Sequence, residues 1–400
     1  MRAGTEMANT TSLNPVISML GRRLRLAVIG GGPGSFIGAM HRQAARLDDR
    51  YELVAGALSS NPEKSIAAGR ELGLAAERCY ADGMALFKSE SNRADGADVV
   101  AIMTPNDSHF EFAFEALALG FDVICDKPMT NTLQEATQLH QRVSDTGLVF
   151  CLTHNYTGYP MVRQAKAMVA NGELGEIRLV QVEYVQGGRA AAGPGKKAWK
   201  EDPARGGPSL VMGDIGTHAH NLLRFITGLE VSQVAAEVGS IVPDRITHDF
   251  AGAMLRMSNG ARGNFWVTQA AAGVENALRI RVSGSLGSLE WQQECPQALT
   301  FKPLGAPSQN RTPNGPGTWP LAARSSRIVA GHPEGFHEAF ANLYSDAAEA
   351  IAARRSGHAA NPLAMHFPNS FDGLLGVQFV AAVIQSSQAD GAWTAACTAA

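Results

Sequence analysis

Three residues in this sequence have the types and spacing to move a hydride and a proton together. Lys127 closes the run Phe121-Asp122-Val123-Ile124-Cys125-Asp126-Lys127-Pro128. A buried strand that ends in an acid, a lysine and a proline delivers an ammonium to the carboxyl edge of a sheet, where ligands bind in open α/β folds. Asp214 and His218 stand four apart in Asp214-Ile215-Gly216-Thr217-His218, so one helical face presents both. Taking hydride from an alcohol carbon needs a base for the hydroxyl proton and a cation for the developing alkoxide. An imidazole accepts protons near neutrality. His218 fits the base, Asp214 a group that orients it, and Lys127 the cation. Read singly, Asp214 could equally cap a helix and His218 be a satisfied core histidine.

Residues 24–29 read as a short strand running into Gly30-Gly31-Gly32-Pro33-Gly34-Ser35-Phe36-Ile37, then Gly38 and a helix over 39–47. Strand, glycine turn and helix N-terminus together hold a pyrophosphate through backbone N–H groups. Gly30 and Gly32 fit the first two glycines of a dinucleotide turn, and the third is delayed to Gly38. The second strand, 51–58, leads into Ser59-Ser60-Asn61-Pro62-Glu63-Lys64, with no carboxylate at its tip. Two hydroxyls and the Lys64 ammonium suit a 2′-phosphate better than a bare ribose, so between NAD and NADP the sequence leans to NADP. Ser60 or Asn61 also caps the helix that Pro62 opens. Further strands at 98–103, 121–125 and 148–152 alternate with helices, which predicts a doubly wound parallel (Rossmann) sheet.

After Thr153 the pattern changes. Strands are expected at 177–186, 234–242, 250–257, 261–268, 277–283 and 288–291, with Asn259-Gly260 as a hairpin turn. They predict an α+β unit on a large, mainly antiparallel, open-faced sheet. A long excursion, 187–228, interrupts them and turns helical from 214; a loop of that length is functional or mobile. A second irregular stretch is expected at 303–333, with helices at 335–354 and 373–387. The expected organisation is a loose tail over 1–23, a dinucleotide domain over 24–152, and a substrate and oligomerisation domain over 153–400. The helix 373–387 packs back on the first domain.

Thr104-Pro105-Asn106 with His109, then Asp126-Lys127-Pro128, then the Asp214–His218 motif about ninety residues later form a distinctive series. With them the chain resembles the glucose–fructose oxidoreductase, inositol dehydrogenase and rhizopine-catabolism (Gfo/Idh/MocA) family, from Leu24 to about Trp393. The resemblance implies Lys127, Asp214 and His218 as the catalytic set. It implies Thr104, Pro105 and Asn106 beside the nicotinamide, with His109 and Asp126 on the same cofactor side. Asn155 and Tyr156 then line the substrate site, with His154 facing it and Trp199 stacking on a sugar ring. The implied activity is an NAD(P)-dependent dehydrogenase or reductase acting on a secondary hydroxyl of a sugar, sugar derivative or inositol. Redox-assisted glycoside cleavage with bound cofactor and a non-catalytic dinucleotide-sensing regulator are the alternatives. A homodimer or homotetramer through the open sheet face is also implied. The chain departs from the family in having Asp126 for the usual Glu and Asn221 where an acid is frequent. Ser59 and Lys64 look like the Ser…Arg pair of NADP-using anhydrofructose reductases.

Other charged groups read as structural. Lys196, Lys197, Lys200 and Asp202 read as solvated loop, and Arg163 and Arg224 as surface pairs. His220 reads as structural, and His332-Pro333-Glu334 with His337 lacks the spacing of a zinc helix. A net charge of −3 gives no reason to expect nucleic acid or an anionic membrane. No apolar run reaches a membrane span. Five scattered cysteines, with no CxxC, point to a reduced, cytoplasmic protein without metal.

Overall fold

The structure, a computed structural model, describes residues 13–192 and 198–397, without the side chains of Ala198 and Glu201. Lys196 and Lys197 lie outside the described residues, as does most of the expected tail. The described end of that tail is not loose. Helix α1 (Pro15–Leu20) is capped by the Asn14 side chain and stopped by Gly21 in the left-handed region, and it buries Val16.

Strands β1 (Leu24–Gly30), β2 (Tyr51–Ala57), β3 (Val99–Met103), β4 (Asp122–Cys125) and β5 (Phe150–Leu152) form a parallel sheet in the order β2-β1-β3-β4-β5. Every residue of β3 and β4 is buried, as expected of central strands covered on both faces. The connecting helices are α2 (Phe36–Leu47), α3 (Pro62–Glu71), α4 (Gly83–Glu90), α5 (His109–Ala118) and α6 (Leu133–Thr146).

Helix α7 (Pro160–Ala170) leads to β6 (Ile177–Val185). The excursion then carries α8 (Ala198–Glu201), α9 (Pro203–Gly206) and α10 (Thr217–Thr227). Strands β7 (Val231–Gly239), β8 (Phe250–Met257), β9 (Arg262–Thr268), β10 (Ala277–Gly284) and β11 (Gly287–Gln292) follow, then β12 (Leu299–Pro303) and β13 (Gln309–Arg311). With β14 (Thr394–Ala395) they make a nine-stranded sheet, order β13-β12-β11-β10-β6-β9-β8-β7-β14. All pairs are antiparallel except β6 with β9, because three hairpin-linked strands return β9 to the side of β6 in the same direction. The stretch expected to be irregular, 303–333, supplies β13 and the short helix α11 (Pro320–Ala323).

Two late helices join the halves. From α12 (Phe336–Ser356), Phe340, Leu343, Tyr344 and Ile351 pack in one apolar cluster with Leu24, Leu26 and Val28 of β1. The core of the first sheet is thus completed by chain far beyond residue 152. Helix α13 (Ser370–Gln388) straddles both cores: Leu374 and Val377 join the first sheet's cluster, Phe379 and Val383 the second's.

The two arginines expected at the surface are stitches. Arg163 is 1% exposed and pairs with Asp346 of α12 at 2.7 Å. Arg224 holds Glu230 and Asp372, each at 2.6 Å. Removing one partner of a buried pair strands the other charge and costs about 3–5 kcal/mol. Asp346→Ala is therefore expected to lose stability of that order, read from the urea midpoint; an unchanged midpoint would show that the pair holds nothing.

Candidate active site

The turn after β4 is fixed before Lys127 leaves it. The Asp126 carboxylate accepts the Lys127 backbone N–H at 2.9 Å and the Thr153 hydroxyl at 3.0 Å. The shorter acid therefore still reaches across to the start of the second half. His109 braces the same turn from behind, its Nδ1 2.8 Å from the Pro128 carbonyl and its Nε2 3.0 Å from the Thr104 carbonyl. It was expected on the cofactor; instead its ring is buried and both nitrogens are taken up by the backbone.

Asp214 sits in a π-helical turn, Met212–Gly216, that runs into α10. Such widened turns are frequent at functional sites. The Lys127 ammonium donates to the Asp214 main-chain carbonyl at 2.6 Å and lies 3.3 Å from Oδ1. A second ammonium, Lys200 of α8, donates to Oδ1 at 2.6 Å, and the Gln269 amide donates to Oδ2 at 2.8 Å. Burial alone would raise the Asp214 pKa, but Lys127 and Lys200 outweigh it and hold the carboxyl well below its usual range.

His218 is oriented differently from expectation. Among the described residues its ring partner is His154, Nδ1 to Nδ1 at 3.3 Å, and not Asp214. His154 is buried behind His218 and does not face the cavity, which corrects its assignment to substrate. Tyr156 crowds His218 edge-on at 4.8 Å. Burial first, then Lys127, push His218 well below its ordinary 6.5. Burial likewise takes His154 to about 3. Both rings are neutral at physiological pH.

A cavity of about 1040 Å³ opens between the two sheets over these groups. One end is floored by Gly30, Ser35, Phe36 and Ile37, with Ser59 and Ser60 beside them. Thr104, Pro105, Asn106 and Asp126 form the middle. Lys127, Asn155, Tyr156, Trp199, Asp214 and His218 close the other end. Gly32, Pro33, Gly34 and Lys64 are not in its walls: Pro33 and Gly34 are the exposed loop tip, and Lys64 is exposed on the first turn of α3. Sequence reasoning passed over Gly31, Asp82, Tyr184, Gln186, Lys200 and Asn276, all of which line the cavity. Tyr184 and Gln186 were visible as same-face neighbours at the end of a strand. Nothing local marked Asn276 or Lys200.

Residues 24–165 match the oxidoreductase family with an NAD-binding Rossmann fold, and residues 162–290 match the Gfo/IDH/MocA C-terminal domain. The chain belongs to the Gfo/Idh/MocA family. An oxidoreductase from Sinorhizobium meliloti is similar to it, with 47% identity and a TM-score of 0.84 over 93% of this chain and 99% of its own. An inositol dehydrogenase homologue from Azotobacter vinelandii, solved with NADH and myo-inositol, shares 36% identity and a TM-score of 0.87, covering 94% of this chain and 98% of its own. The Bacillus subtilis oxidoreductase YfiI, itself uncharacterized, is 32% identical over 94% of this chain and 97% of its own.

The glycine turn fits the dinucleotide of a Gfo/Idh/MocA protein on its own geometry. A Cβ on Gly31 would meet the Met103 sulfur at 2.3 Å, and one on Gly32 the Leu58 carbonyl at 2.2 Å. The delayed Gly38 lets α2 approach the turn, where a Cβ would lie 2.0 Å from the Gly31 carbonyl. Ser35 caps α2 by accepting the Gly38 N–H at 3.1 Å, so the helix N-terminus faces the cavity with its partial positive charge. Among the described residues no cluster of three His, Cys, Asp or Glu side chains could hold a metal, and no helix is long and apolar enough to cross a membrane.

Proposed function

We propose that this protein transfers hydride between NAD or NADP and a secondary hydroxyl, or the matching ketone, of an uncharged sugar, sugar derivative or inositol. The observation that carries the reading is the convergence of Lys127, Asp214 and His218 at one end of a cavity whose other end is the glycine turn. The NADH and myo-inositol bound by the Azotobacter vinelandii homologue support it. So does the substrate-end wall: Tyr156 and Tyr184 hydroxyls, the Gln186 amide and the Asn276 amide are neutral hydrogen-bonding groups joined to one another. Asn155 Nδ2 is buried with no hydrogen-bond partner among the described residues, as a donor awaiting a ligand oxygen would be.

The nicotinamide, when bound, supplies the hydride acceptor or donor. Lys127 donates to the reacting oxygen and stabilises its alkoxide character. His218 takes the hydroxyl proton at Nε2 in the tautomer whose Nδ1 carries the hydrogen shared with His154 Nδ1, 3.3 Å away; we assign that tautomer. His154 is thus a positioning residue that selects the tautomer, and Asp214 balances the lysines. Tyr156, packed edge-on against the His218 ring, covers one side of the base.

Because His218 titrates well below 6.5, the acid limb of kcat/KM is expected below pH 6.5. His154→Leu should lower kcat by about tenfold or more, a part of the roughly 10²- to 10⁴-fold that a positioned general base contributes, with dinucleotide affinity kept. A wild-type limb above 6.5 would remove His218 from the role.

The tip of β2 offers Ser59 and Ser60 and no acid, which favours NADP. Asp82, the N-cap of α4, brings a carboxylate to the same cavity and favours NAD. A screen at the reduced-nicotinamide absorption band, with inositols, aldoses and glucosides and each cofactor, tests the function and ranks the cofactors by kcat/KM. No turnover across that panel overturns the function. The outward face of the large sheet exposes Leu179, Met254 and Trp266, and a second copy covering it makes the homodimer or homotetramer; a monomer by light scattering overturns that part.

A further inference from the structure

We propose that Lys200 is a substrate-contacting residue: it binds the hydroxyl on the carbon next to the one that is oxidised, so the natural substrate carries a vicinal diol. This rests on the function proposed above. Lys200 lies in a stretch whose composition reads as solvated loop, yet its side chain is only 23% exposed and its ammonium lines the cavity beside Lys127, Asp214 and His218.

The segment that carries it is tied down. Arg205 pairs with Asp107 at 2.8 Å, the Asn106 amide donates to the Gly206 carbonyl at 3.1 Å, and the Asn131 amide donates to the Arg205 carbonyl at 3.0 Å. Asp202 caps α9 through the Ala204 N–H. Chain from the excursion is thus fastened across the cavity to the first half, and α8 is held with Lys200 turned inward.

Charge and hydrogen-bond capacity then point to a ligand oxygen. Two ammonium groups share the one Asp214 carboxylate, so neither has an acid to itself there. An ammonium has three donors. Among the described residues, the hydrogen-bond partner of the Lys200 ammonium is Asp214 Oδ1 alone. The same ammonium lies 5.7 Å from the centroid of the Trp199 ring, and both residues line the cavity. Lys127 and Lys200 both reach Oδ1, at 3.3 and 2.6 Å, so their nitrogens are no farther apart than the sum of those two distances. Oxygens on adjacent carbons of a polyol present the matching pair: one for Lys127, which becomes the ketone oxygen, and its neighbour for Lys200.

The test crosses Lys200→Met with single-deoxy analogues of the best polyol found in the screen, with the oxidised carbon located by NMR of the product. On the parent polyol, kcat/KM is expected to fall about 10- to 100-fold, the range for a hydrogen bond from a charged group. On the analogue lacking the hydroxyl next to the oxidised carbon, wild type and variant should agree. Dinucleotide affinity, read by fluorescence titration, should be unchanged and shows that the variant is folded. An equal loss on every analogue would mean that Lys200 acts only through Asp214, and overturns the proposal while leaving the oxidoreductase reading intact. No loss on the parent overturns it as well. A wild-type protein that oxidises no polyol or sugar fails the functional reading itself, and this inference falls with it.

Discussion

Lys127→Met is expected to lower kcat/KM by about 10²- to 10³-fold, the usual effect of removing one donor from a developing oxyanion. Dinucleotide affinity should be kept. Methionine retains the length and packing of the side chain and loses only the ammonium. In the wild type that ammonium donates to the Asp214 carbonyl at 2.6 Å and stands 3.3 Å from Oδ1. Asp214 is not abandoned in the variant, because Lys200 and Gln269 still hold both of its carboxylate oxygens. The loss should therefore fall on kcat in single-turnover hydride transfer and spare the glycine turn, which lies at the cavity's far end. Binding of the dinucleotide to the variant, followed by fluorescence titration, separates a chemical defect from a folding defect. Wild-type turnover in this variant would end the assignment of Lys127 to the reacting oxygen.

The residues that meet at the site were legible where they sit at element ends. Lys127 leaves a fully buried strand, as local pattern predicts; Asp214 was expected to open a helix but sits in a widened turn of a helical run that has already begun at residue 210. The glycine turn was legible for the same reason, including the delayed Gly38, which packs against Gly31 as a helix-approach glycine must. Strong local signals were passed over: Asn14, Pro15 and Gly21 spell a short capped helix in what was taken for a loose tail. Facing direction was not legible. A histidine beside a motif has the same letter whether it meets ligand or backbone, and His109 and His154 turned out to brace other groups. Lys200 shows the converse, since a charged residue in a glycine-rich stretch gives no sign of which way its helix is tied. Long-range partners were hidden too. Helix α12 is alanine-rich and apolar on several sides, so its pattern names no face, and only contact shows that it completes the first sheet. The parallel β6–β9 pair joins strands separated by the whole excursion, which hairpin spacing does not report.

Acid should destabilise this protein before its ordinary carboxylates protonate, and buried histidines are the reason. His41, His154, His218 and His220 are all buried. In each, burial is the leading cause that lowers the pKa from 6.5: to about 4 for His41, about 3 for His154, and well below 6.5 for the other two. These rings stay neutral in the fold as pH drops, while the same rings in the unfolded chain take up protons. The unfolded state therefore binds more protons below pH 6.5, and stability falls as pH falls. The contribution is fully present above 6.5 and is lost progressively toward the folded pKa values. Each ring costs at most about 1.4 kcal/mol per pH unit. Four of them remove roughly 7 kcal/mol between about pH 6.5 and pH 5, against a whole-protein stability of about 5–15 kcal/mol. The urea midpoint should accordingly drop steeply between about pH 7 and pH 5, in a window where no ordinary carboxylate titrates. His41 allows the cause to be isolated, because it does not itself line the cavity: it packs edge-on behind the wall residue Phe340 and against Tyr344, with Nδ1 2.7 Å from the Tyr344 hydroxyl. His41→Asn removes one titrating ring; the variant starts less stable at neutral pH, and its further drop on acidification should be smaller by about a quarter, one of four equal contributions. A wild-type midpoint that holds steady from about pH 7 to pH 5 would show that these rings are not neutral in the fold, and would remove with it the argument that His218 waits unprotonated for its substrate.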